Sequence, residues 1–430
     1  MAIKILIGGS PCTYWSIAQK NNRETEASGM GWELFKNYLI AKEKFKPDFF
    51  LYENNKSAAQ AIKDQIAEEL GVGVDPDVRF TYINSALVSA QNRQRFYVTN
   101  FGDIEQPEDR GILLKDILVT GEADRDKARC VTASVGRTTH REYLQKQQNT
   151  MAYEPVRVGC MPSPDGTIKN SQGMRVYSTE GKSVNLTAQG GGLGAKTGLY
   201  AIPLNITPNG KSQTIKAQYQ QTSPANILGY SSTYGASGVA EPVGYAIAIE
   251  WDENGIPTKA VSCADGKTYT VYEVKDGQIT IRGKQYPIKL PDGYYIIRKL
   301  TVTECARLQT MPDDYCKVLS DSQAYKALGN GWTAEVIIHL LNHALKDVPR
   351  DEEIVVLSLY DGIATGRYCL DKMGFTNVKY HAYEIDKYPI QAAMDNYPDI
   401  IQYGDAFAVR EDDWKAPQSR SEWLDELLGA

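Results

Sequence analysis

Apolar and polar positions alternate with two different periods along the first 118 residues. Short apolar runs, which predict buried strands, occur at "IKILI", "DFFLYE", "RFTYIN" and "RFYVTN". Between them lie "MGWELFKNYLIAKEKF" and "SAAQAIKDQIAEEL", whose apolar residues recur every three or four positions, as on one face of a helix. Strands that alternate with helices predict an α/β fold with a doubly wound, mostly parallel sheet.

The pattern changes in the middle of the chain, between residues 119 and 297. Short β-branched and aromatic runs such as "AIAIEW", "TYTVYEV", "QITI" and "GYYIIR" are separated by the turn sequences "DENG", "ADG", "KDG" and "PDG". Short strands joined by Asp-Gly turns are typical of β-hairpins. This segment is therefore predicted to be rich in β-structure.

The helical period returns at "TVTECARLQTM" and "WTAEVIIHLLNHALK", within residues 298–346. A polar stretch, "DVPRDEE", opens residues 347–430, which resume the alternation of strand and helix with "IVVLSLYDGIATGRYCLDKMG". The α/β pattern thus occupies both ends of the chain. The simplest organisation is one α/β domain formed by residues 1–118, 298–346 and 347–430, into which a β-rich domain of residues 119–297 is inserted.

The composition is that of a globular protein, with 42% hydrophobic and 23% charged residues among 430. No apolar stretch reaches the roughly 18 residues that a membrane helix needs, and the run in "MAIKILIGGS" is too short for a signal peptide. We therefore expect a cytoplasmic protein with no membrane partner. Seven cysteines without a Cys-x-x-Cys pair, and four histidines, make disulfides and a bound metal unexpected.

The net charge of −6 conceals an uneven distribution. Residues 121–290 carry a net charge of +5, which leaves −11 for the rest of the chain. Because phosphate binding needs clustered Lys and Arg, the middle segment is the better candidate for a nucleic-acid contact. A charge of +5 over such a length is a weak signal.

A glycine-rich turn, Asp361–Thr365, follows the strand "IVVLSL". Such a turn lets a nucleotide-like ligand approach the backbone at the end of a parallel strand, although by itself it is equally well a structural tight turn. The next strand ends at Glu384, which is suited to ribose hydroxyls, and a third ends at Asp405, which is suited to an adenine amino group. Three such strand ends in succession predict an adenosine-containing cofactor.

A single cysteine, Cys12, follows the first strand in the turn "GGSPC". A cysteine in this position is most often buried and inert, but an exposed turn at a strand end is also where active-site loops lie. The second strand ends at Glu53, which would lie at the same edge of the sheet and is a candidate general acid. In "QNRQR", Gln91, Arg93 and Arg95 are predicted to share one face of a strand, unless they form a solvated basic edge.

Taken in order, "GGSPC", "ENN", "QNRQR", "RKLTVTECARLQTMPDDY" and "ALGNGWTAEVIIHLL" resemble the motifs of the DNA cytosine-5 methyltransferases. The wording of "LYDGIATG", "GGSPC" and "LGNGW" is most similar to the animal de novo enzymes and to phage or bacterial members. The resemblance covers residues 1–100, 296–346 and 354–410. It implies a Rossmann-like fold that binds S-adenosylmethionine, with the β-rich segment as a target-recognition domain.

The resemblance also implies a reaction on double-stranded DNA. The Cys12 thiolate would add to carbon 6 of a flipped-out cytosine, and carbon 5 would then accept a methyl group from S-adenosylmethionine. Glu53 would act at ring nitrogen 3 and the exocyclic amine. Arg95, with Arg93 in support, would bind the carbonyl oxygen and a nearby phosphate. A monomer is favoured, in the cytoplasm of the host if the gene belongs to a phage.

The same resemblance implies a set of residues around the cofactor, in which Tyr360 packs on the adenine and the last motif folds back against the cofactor. That set comprises Tyr360, Asp361, Gly362, Ile363, Ala364, Thr365, Glu384, Ile385, Asp405, Ala406, Pro11, Asn330, Gly331 and Trp332.

The chain departs from the family pattern in two ways. The cofactor motifs, which usually come first, come last here, so the sequence has the order of a circular permutant that is cut between the third and fourth strands of the sheet. Asn55 and Lys56 stand where an apolar residue usually follows Glu-Asn, and Thr13 and Tyr14 replace the usual wording after the cysteine. Both places are candidates for an altered pocket.

Two other functions fit parts of the sequence. A catalytically silent relative would bind DNA or cofactor as a regulator or partner, but it has no need of Cys12, Glu53, Arg93 and Arg95 together. A nicotinamide-dependent oxidoreductase would account for the glycine turn and Glu384, but "DGIATG" lacks the G-x-G-x-x-G spacing.

Overall fold

The computed structural model describes residues 2–15, 23–146, 149–157, 159–160, 175–178, 199–202, 229–231, 246–253 and 256–414. These residues form two compact units. The first comprises the described parts of Met1–Ile117, Lys127–Thr138 and Val302–Ala430, and the second those of Leu118–Asp126 and Thr139–Thr301. Within the described residues, no helix is both long and apolar enough to cross a membrane.

The first unit contains strands and helices in alternation. Its strands are β1 (Ile3–Gly8), β2 (Phe49–Asn55), β3 (Arg79–Asn84), β4 (Gln91–Asn92), β5 (Gln94–Thr99), β6 (Ala128–Arg129), β18 (Ile354–Leu359), β19 (Val378–Tyr383) and β20 (Ile401–Gln402). Its helices are α1 (Gly29–Phe45), α2 (Gln60–Leu70), α3 (Leu114–Ile117), α5 (Val302–Leu308), α6 (Asp321–Asn330), α7 (Ala334–Leu345), α8 (Thr365–Lys372) and α9 (Lys387–Asn396).

The main sheet has seven strands in the order β20-β19-β18-β1-β2-β5-β3. The five strands from β20 to β2 are parallel, and β5 runs antiparallel to both β2 and β3. The predicted α/β fold is thus confirmed, with a mixed sheet. Strand β18 pairs with β1 along its whole length, from Ile3 opposite Ile354 to Gly8 opposite Leu359, so residues near both ends of the sequence share one sheet.

Helix α1 illustrates how the sequence pattern builds the core of this unit. Its buried side chains include Trp32, Phe35, Tyr38, Ala41 and Phe45, which recur every three or four residues and pack on β1 and β2 side chains. Each large apolar side chain removed from water contributes roughly 2–3 kcal/mol. The apolar face of α1 therefore accounts for its packing. The polar side chains at the neighbouring strand ends are not needed for that packing and can serve a functional site.

The second unit consists mainly of strands. Its elements are α4 (His140–Lys146), β7 (Met151–Arg157), β8 (Gly159–Cys160), β9 (Arg175–Ser178), β10 (Leu199–Ile202), β11 (Gly229–Ser231), β12 (Ala246–Trp251), β13 (Pro257–Val261), β14 (Thr268–Lys275), β15 (Gln278–Ile281), β16 (Lys284–Pro287) and β17 (Gly293–Lys299). They form a four-stranded sheet, β11-β10-β9-β8, and a seven-stranded sheet, β13-β12-β7-β17-β14-β15-β16.

Two tight turns explain the hairpins of the larger sheet. Asp276 and Gly277, with φ of 50° and 67°, join β14 to β15, and Arg282 and Gly283, with φ of 52° and 74°, join β15 to β16. A two-residue loop with both φ values positive matches the right-handed twist of the strands. The Asp-Gly turn agrees with the sequence pattern, whereas the Arg-Gly turn was not foreseen because arginine is an unusual residue in the left-handed region.

A buried ion pair links the neighbouring strands β17 and β7 of the larger sheet. The Arg298 guanidinium on β17 lies 2.6 Å from the Glu154 carboxylate on β7, and both side chains are fully buried. The hydroxyl of Ser262 and the amide of Cys263 also donate to this carboxylate, and Arg298 donates to the carbonyl of Thr120. A buried pair is stable only when its remaining donors and acceptors are satisfied in this way.

Candidate active site

The carboxyl ends of β1 and β2 meet at the turn that precedes Cys12. A Cβ atom on Gly9 would lie 2.5 Å from the carbonyl oxygen of Glu53 and 3.0 Å from its Oε2 atom. No side chain fits there, which is why glycine occupies this position. Cys12 begins a short 3-10 turn, Cys12–Tyr14, three residues further on. The position of its side chain lies outside what the structure describes.

A buried polar network fixes this turn against β2. The Asn54 side-chain amide donates to the Ser10 carbonyl at 2.9 Å and to the Tyr52 hydroxyl at 3.1 Å. The hydroxyls of Ser10 and Tyr52 are 2.7 Å apart. All three side chains are buried, so breaking one bond would leave unsatisfied polar groups in the core. The network therefore sets the backbone two residues before Cys12.

The Glu53 carboxylate is held by two donors. Arg95 Nε lies 2.9 Å from its Oε1 atom, and the indole N–H of Trp332 donates to Oε2, also at 2.9 Å. Glu53 is 8% exposed, and the side chain of Arg95 is 11% exposed. A carboxylate with a separate donor on each oxygen is fixed in orientation as well as in position.

Arg93 occupies a different place from the one expected of a strand residue beside Arg95. The strand is interrupted at Arg93, which lies between β4 and β5. Its buried guanidinium donates to the carbonyls of Val131 at 3.0 Å and Gly331 at 2.7 Å, and more weakly to that of Gly329. Arg93 thus joins the segment before α7 to the segment after β6, whereas the side chain of Arg95 contacts Glu53.

Arg93 also contacts a thiol that the sequence pattern did not single out. Its Nη1 atom is 3.2 Å from the Sγ atom of Cys130, which is half-buried. Burial raises the pKa of the Cys130 thiol, but the charges and hydrogen bonds of Arg93 and Arg95 more than offset that effect, so its pKa lies below the ordinary value. A cysteine whose pKa is lowered by arginines therefore lies beside this site.

This environment leads to a prediction for thiol labelling. We expect iodoacetamide to modify Cys130 and the exposed Cys263 at neutral pH, while the buried Cys305, Cys316 and Cys369 react slowly, because burial raises the pKa of each of those three thiols. As the pH is lowered from about 8 to about 6.5, labelling of Cys130 should fall less than that of Cys263, since a lowered pKa preserves the thiolate. Peptide mass spectrometry measures both rates, and parallel loss at the two sites would contradict the prediction.

The turn after β18 has an unusual backbone. Tyr360, Gly362 and Ala364 have φ values of 59°, 62° and 58°, in the left-handed region. For a residue other than glycine this conformation costs about 1–3 kcal/mol, so the surrounding structure must impose it. The Tyr360 hydroxyl donates to the carbonyl of Leu34 on α1 at 2.7 Å, and the carbonyl of Ile363 accepts from Tyr315 at 2.7 Å.

Asp361 is half-buried in this turn, and its carboxylate is turned inward. Its Oδ1 atom accepts from the hydroxyls of Ser358 at 2.6 Å and Tyr380 at 2.7 Å. Its Oδ2 atom is buried and has no hydrogen-bond partner among the described residues. Burial, with a contribution from the charge of Glu384, raises the pKa of Asp361 to about 7. An unsatisfied buried carboxylate oxygen at the end of a parallel strand suits a cationic or hydrogen-bonding group.

Glu384 organises the neighbouring strand end. Its carboxylate accepts from the backbone amides of Gly362, Ile385 and Asp386, each at 2.9 Å. Burial raises its pKa, although these three amides oppose the shift. The side chain of Ile385 beside it is 67% exposed. This strand end therefore combines a fixed carboxylate with an exposed apolar side chain.

The other predicted cofactor residues lie near these strand ends or on the neighbouring turns. Asp405 is exposed after β20 and accepts from the amide of Phe407 at 2.9 Å, while Ala406 is buried. Thr365 is buried at the start of α8. Pro11 is half-buried before Cys12, and Asn330 is exposed at the end of α6.

Asn55 and Lys56, which depart from the family wording, have local structural roles. The Asn55 side chain accepts from the amide of Ser57 at 3.0 Å, which turns the chain from β2 towards α2. The Lys56 ammonium lies 5.3 Å from the centre of the Tyr82 ring. Asn55 therefore shapes the connection from β2 to α2.

The structure thus brings Glu53, Arg95 and Trp332 into direct contact, and it links the turn at Asp361 to Glu384.

Gln309 on the segment after α5 is a further residue that the sequence pattern did not identify. It is fully buried, donates to the carbonyl of Leu328 and accepts from the hydroxyl of Thr333. A glutamine inside an apolar helical motif was the signal that could have marked it. No group of three His, Cys, Asp or Glu residues within the described ranges is arranged to hold a metal ion.

Comparison with known proteins places this site in context. The sequence matches the profile of the C-5 cytosine-specific DNA methylases over residues 1–346. It is 24% identical over 375 residues to the orphan methyltransferase M.SPRI of Bacillus phage SPR, an alignment that covers 77% of this chain and 80% of that protein. It is 27% identical over 251 residues to the type II methyltransferase M.HhaI of Haemophilus parahaemolyticus, covering 54% and 66%.

Similarity to solved structures is weaker. The Entamoeba histolytica methyltransferase EhMeth aligns with 80% of this chain and 78% of its own length, at 10% identity and a TM-score of 0.34. At this level the alignment adds no argument about function.

Proposed function

The chain belongs to the C-5 cytosine-specific DNA methylase family, and from this premise we propose that it is a sequence-specific DNA (cytosine-5)-methyltransferase that uses S-adenosylmethionine. The observation that carries the proposal is the Glu53 carboxylate, held by Arg95 and Trp332 against the turn that leads to Cys12. A general acid fixed beside a nucleophile-bearing turn is what addition to a cytosine ring requires.

In this proposal each site residue has a separate role in the reaction. The Cys12 thiolate adds to carbon 6 of cytosine, and the electron density that this addition places on the ring makes carbon 5 nucleophilic. Glu53 supplies a hydrogen bond or proton at ring nitrogen 3, and Arg95 stabilises the carbonyl oxygen. Arg93 supports them by fixing the backbone around the site. Loss of the carbon 5 proton and elimination of Cys12 release 5-methylcytosine.

The strand ends of β18, β19 and β20 suit S-adenosylmethionine. The buried Oδ2 atom of Asp361 has no hydrogen-bond partner among the described residues, so a nearby cationic ligand would stabilise the charge of this carboxylate, and the exposed Ile385 offers an apolar surface to a purine ring. We assign the methionine portion to the turn Asp361–Thr365, the ribose to Glu384 and the adenine to Tyr360, Ile385 and Asp405. S-adenosylmethionine, when bound, supplies the electrophilic methyl group that carbon 5 accepts.

The remaining assignments concern the DNA and the order of the motifs. The target base lies inside a duplex, so we expect it to be flipped out of the stack before reaction. We assign target recognition to residues 119–297, many of which fall outside the described ranges. The pairing of β18 with β1 supports a circularly permuted arrangement, in which the cofactor strands follow the catalytic strands in sequence. We expect a cytoplasmic monomer.

The decisive experiment is transfer of a labelled methyl group to duplex DNA. Purified protein is incubated with tritiated S-adenosylmethionine and plasmid DNA, and the DNA is digested to nucleosides. We expect label in 5-methyldeoxycytidine, and conversion-based sequencing of the same DNA should locate it within one recognition sequence.

Two results would contradict the proposal. A folded protein that binds S-adenosylmethionine in calorimetry but labels no cytosine in DNA of varied sequence would be a silent relative. Binding of a nicotinamide cofactor in place of S-adenosylmethionine would indicate an oxidoreductase.

A further inference from the structure

Trp332 lies in a loop whose backbone is fixed on both sides. The carbonyl of Gly331 accepts from Arg93 at 2.7 Å and from Gln309 at 3.3 Å. The hydroxyl of Thr333 donates to Gln309 at 2.9 Å. With its neighbours anchored in this way, the backbone that carries Trp332 has little freedom to move.

The indole N–H is directed at the catalytic carboxylate. It donates to Glu53 Oε2 at 2.9 Å in a half-buried environment, opposite the oxygen that Arg95 holds. An indole can donate but cannot accept, so this contact holds the Glu53 side chain in one rotamer. Without the N–H, Glu53 would keep its partner on one oxygen only, and the carboxyl group could rotate about its side chain.

The same loop borders the turn proposed to bind the cofactor. A Cβ atom on Gly331 would lie 3.8 Å from the Cδ1 atom of Ile363 in that turn. Trp332 therefore directly follows a residue that borders this turn, while its own indole contacts Glu53. Packing against the cofactor would need the ring of Trp332, whereas its contact with Glu53 needs the N–H.

We propose that Trp332 is a positioning residue for the reaction, which holds the Glu53 carboxylate in its working orientation through the indole N–H. This inference rests on the proposed function and deepens it, because it adds a role for Trp332 beyond cofactor packing. It predicts that a substitution which keeps an aromatic ring but removes the N–H will slow the reaction without weakening cofactor binding.

Trp332→Phe keeps an aromatic ring and removes the donor. We expect the single-turnover rate of methyl transfer to fall about 10- to 100-fold, the range expected for one hydrogen bond to a charged group. The dissociation constants for S-adenosylmethionine and for duplex DNA should stay within about twofold of the wild type. Trp414→Phe is the matched control, since it also removes an indole N–H bond of 2.9 Å, to the hydroxyl of Tyr383, and we expect it to change the rate less than threefold.

A double-mutant cycle tests whether Trp332 acts through Glu53. In a Glu53→Ala background, Trp332→Phe should have no further effect on the residual rate. An equal loss in both backgrounds, or a loss confined to cofactor affinity, would overturn the inference in favour of a packing role.

A spectroscopic measurement separates failure of this inference from failure of the proposed function. In a ¹H–¹⁵N spectrum, the indole resonance that disappears in Trp332→Phe belongs to Trp332. It should shift in Glu53→Gln and should exchange slowly with solvent in the wild type. A resonance that Glu53→Gln leaves unchanged would overturn the inference even in an active enzyme, whereas a protein with the expected shift but no methyl transfer would retain the contact and lose the proposed function.

Discussion

Replacing Cys12 with alanine is expected to abolish methyl transfer to DNA, with a loss of at least about 10⁴-fold. In the proposed reaction nothing else makes carbon 5 of cytosine nucleophilic, and removal of a covalent nucleophile has effects of this size in other enzymes. Cys12 begins a short turn, and alanine leaves the hydrogen bonds of the preceding Ser10 with Tyr52 and Asn54 in place, so the fold should tolerate alanine. Single-turnover assays measure the rate, and binding of duplex DNA should remain within a few fold.

The covalent step can be observed directly with DNA that contains 5-fluorocytosine. Fluorine replaces the hydrogen that must leave carbon 5, so once the methyl group of S-adenosylmethionine has been transferred to carbon 5, the cysteine adduct cannot be released. Wild-type protein should form a complex that survives denaturant, and Cys12→Ala should not. Cys263→Ser, at an exposed thiol of the second unit, is the matched control and should still form the complex. Adduct formation by Cys12→Ala would show that another residue is the nucleophile.

Replacing Asp361 with asparagine is expected to stabilise the fold and weaken cofactor binding. The pKa of Asp361 is raised from its ordinary value of 3.8 to about 7 in the folded protein. Between these values the unfolded chain releases the proton and the folded chain keeps it, so the stability of the wild type falls as the pH rises through this window. Three pKa units correspond to about 4 kcal/mol, which is an upper bound for the effect.

We therefore expect Asp361→Asn to exceed the wild type in free energy of unfolding by about 2–4 kcal/mol at pH 8, and by much less at pH 4.5, in urea denaturation. The affinity for S-adenosylmethionine should drop about tenfold or more, because asparagine cannot offer a negative charge to a cationic ligand. Asp64→Asn, at an exposed carboxylate on α2, should change neither quantity appreciably. A variant that is equally destabilised at both pH values would show that the buried carboxylate is not the cause.

Asp361 and Glu53 use burial in different ways. Asp361 has one oxygen without a partner among the described residues, so its ionisation is unfavourable until a ligand arrives. Glu53 has a donor on each oxygen before any ligand is present. The first carboxylate is thus suited to binding a cation, and the second to acting from a fixed position.

Much of the fold follows from sequence patterns that report burial. The 3-4 spacing of α1 and the apolar run of β1 determine elements of the first unit because each element must hide one apolar face, whatever its partner. The positions of Glu53, Asp361 and Glu384 near strand ends could be predicted in the same way, although β2 continues past Glu53 to Asn55. In a parallel sheet such ends lie along one edge, so the pattern also predicted which side chains are neighbours.

Contacts that depend on a turn's path or on a side chain's direction could not be read from the sequence. Arg93 was expected to share a strand face with Arg95, but the strand breaks at Arg93 and its guanidinium binds backbone carbonyls. Cys130 was not identified, because nothing local distinguishes it from an inert thiol. Its low pKa comes from two arginines some 35 residues away in sequence.

The sequence by itself determined the kind of fold, the strand ends that carry polar groups, and the family to which the motifs belong. The tertiary structure decided which donors reach each carboxylate: Arg95 and Trp332 at Glu53, and three backbone amides at Glu384. The physical reason is one of range. Burial and strand direction are local properties that recur along a chain, whereas a hydrogen bond of 2.9 Å between residues 53 and 332 exists only after the segments between them have folded.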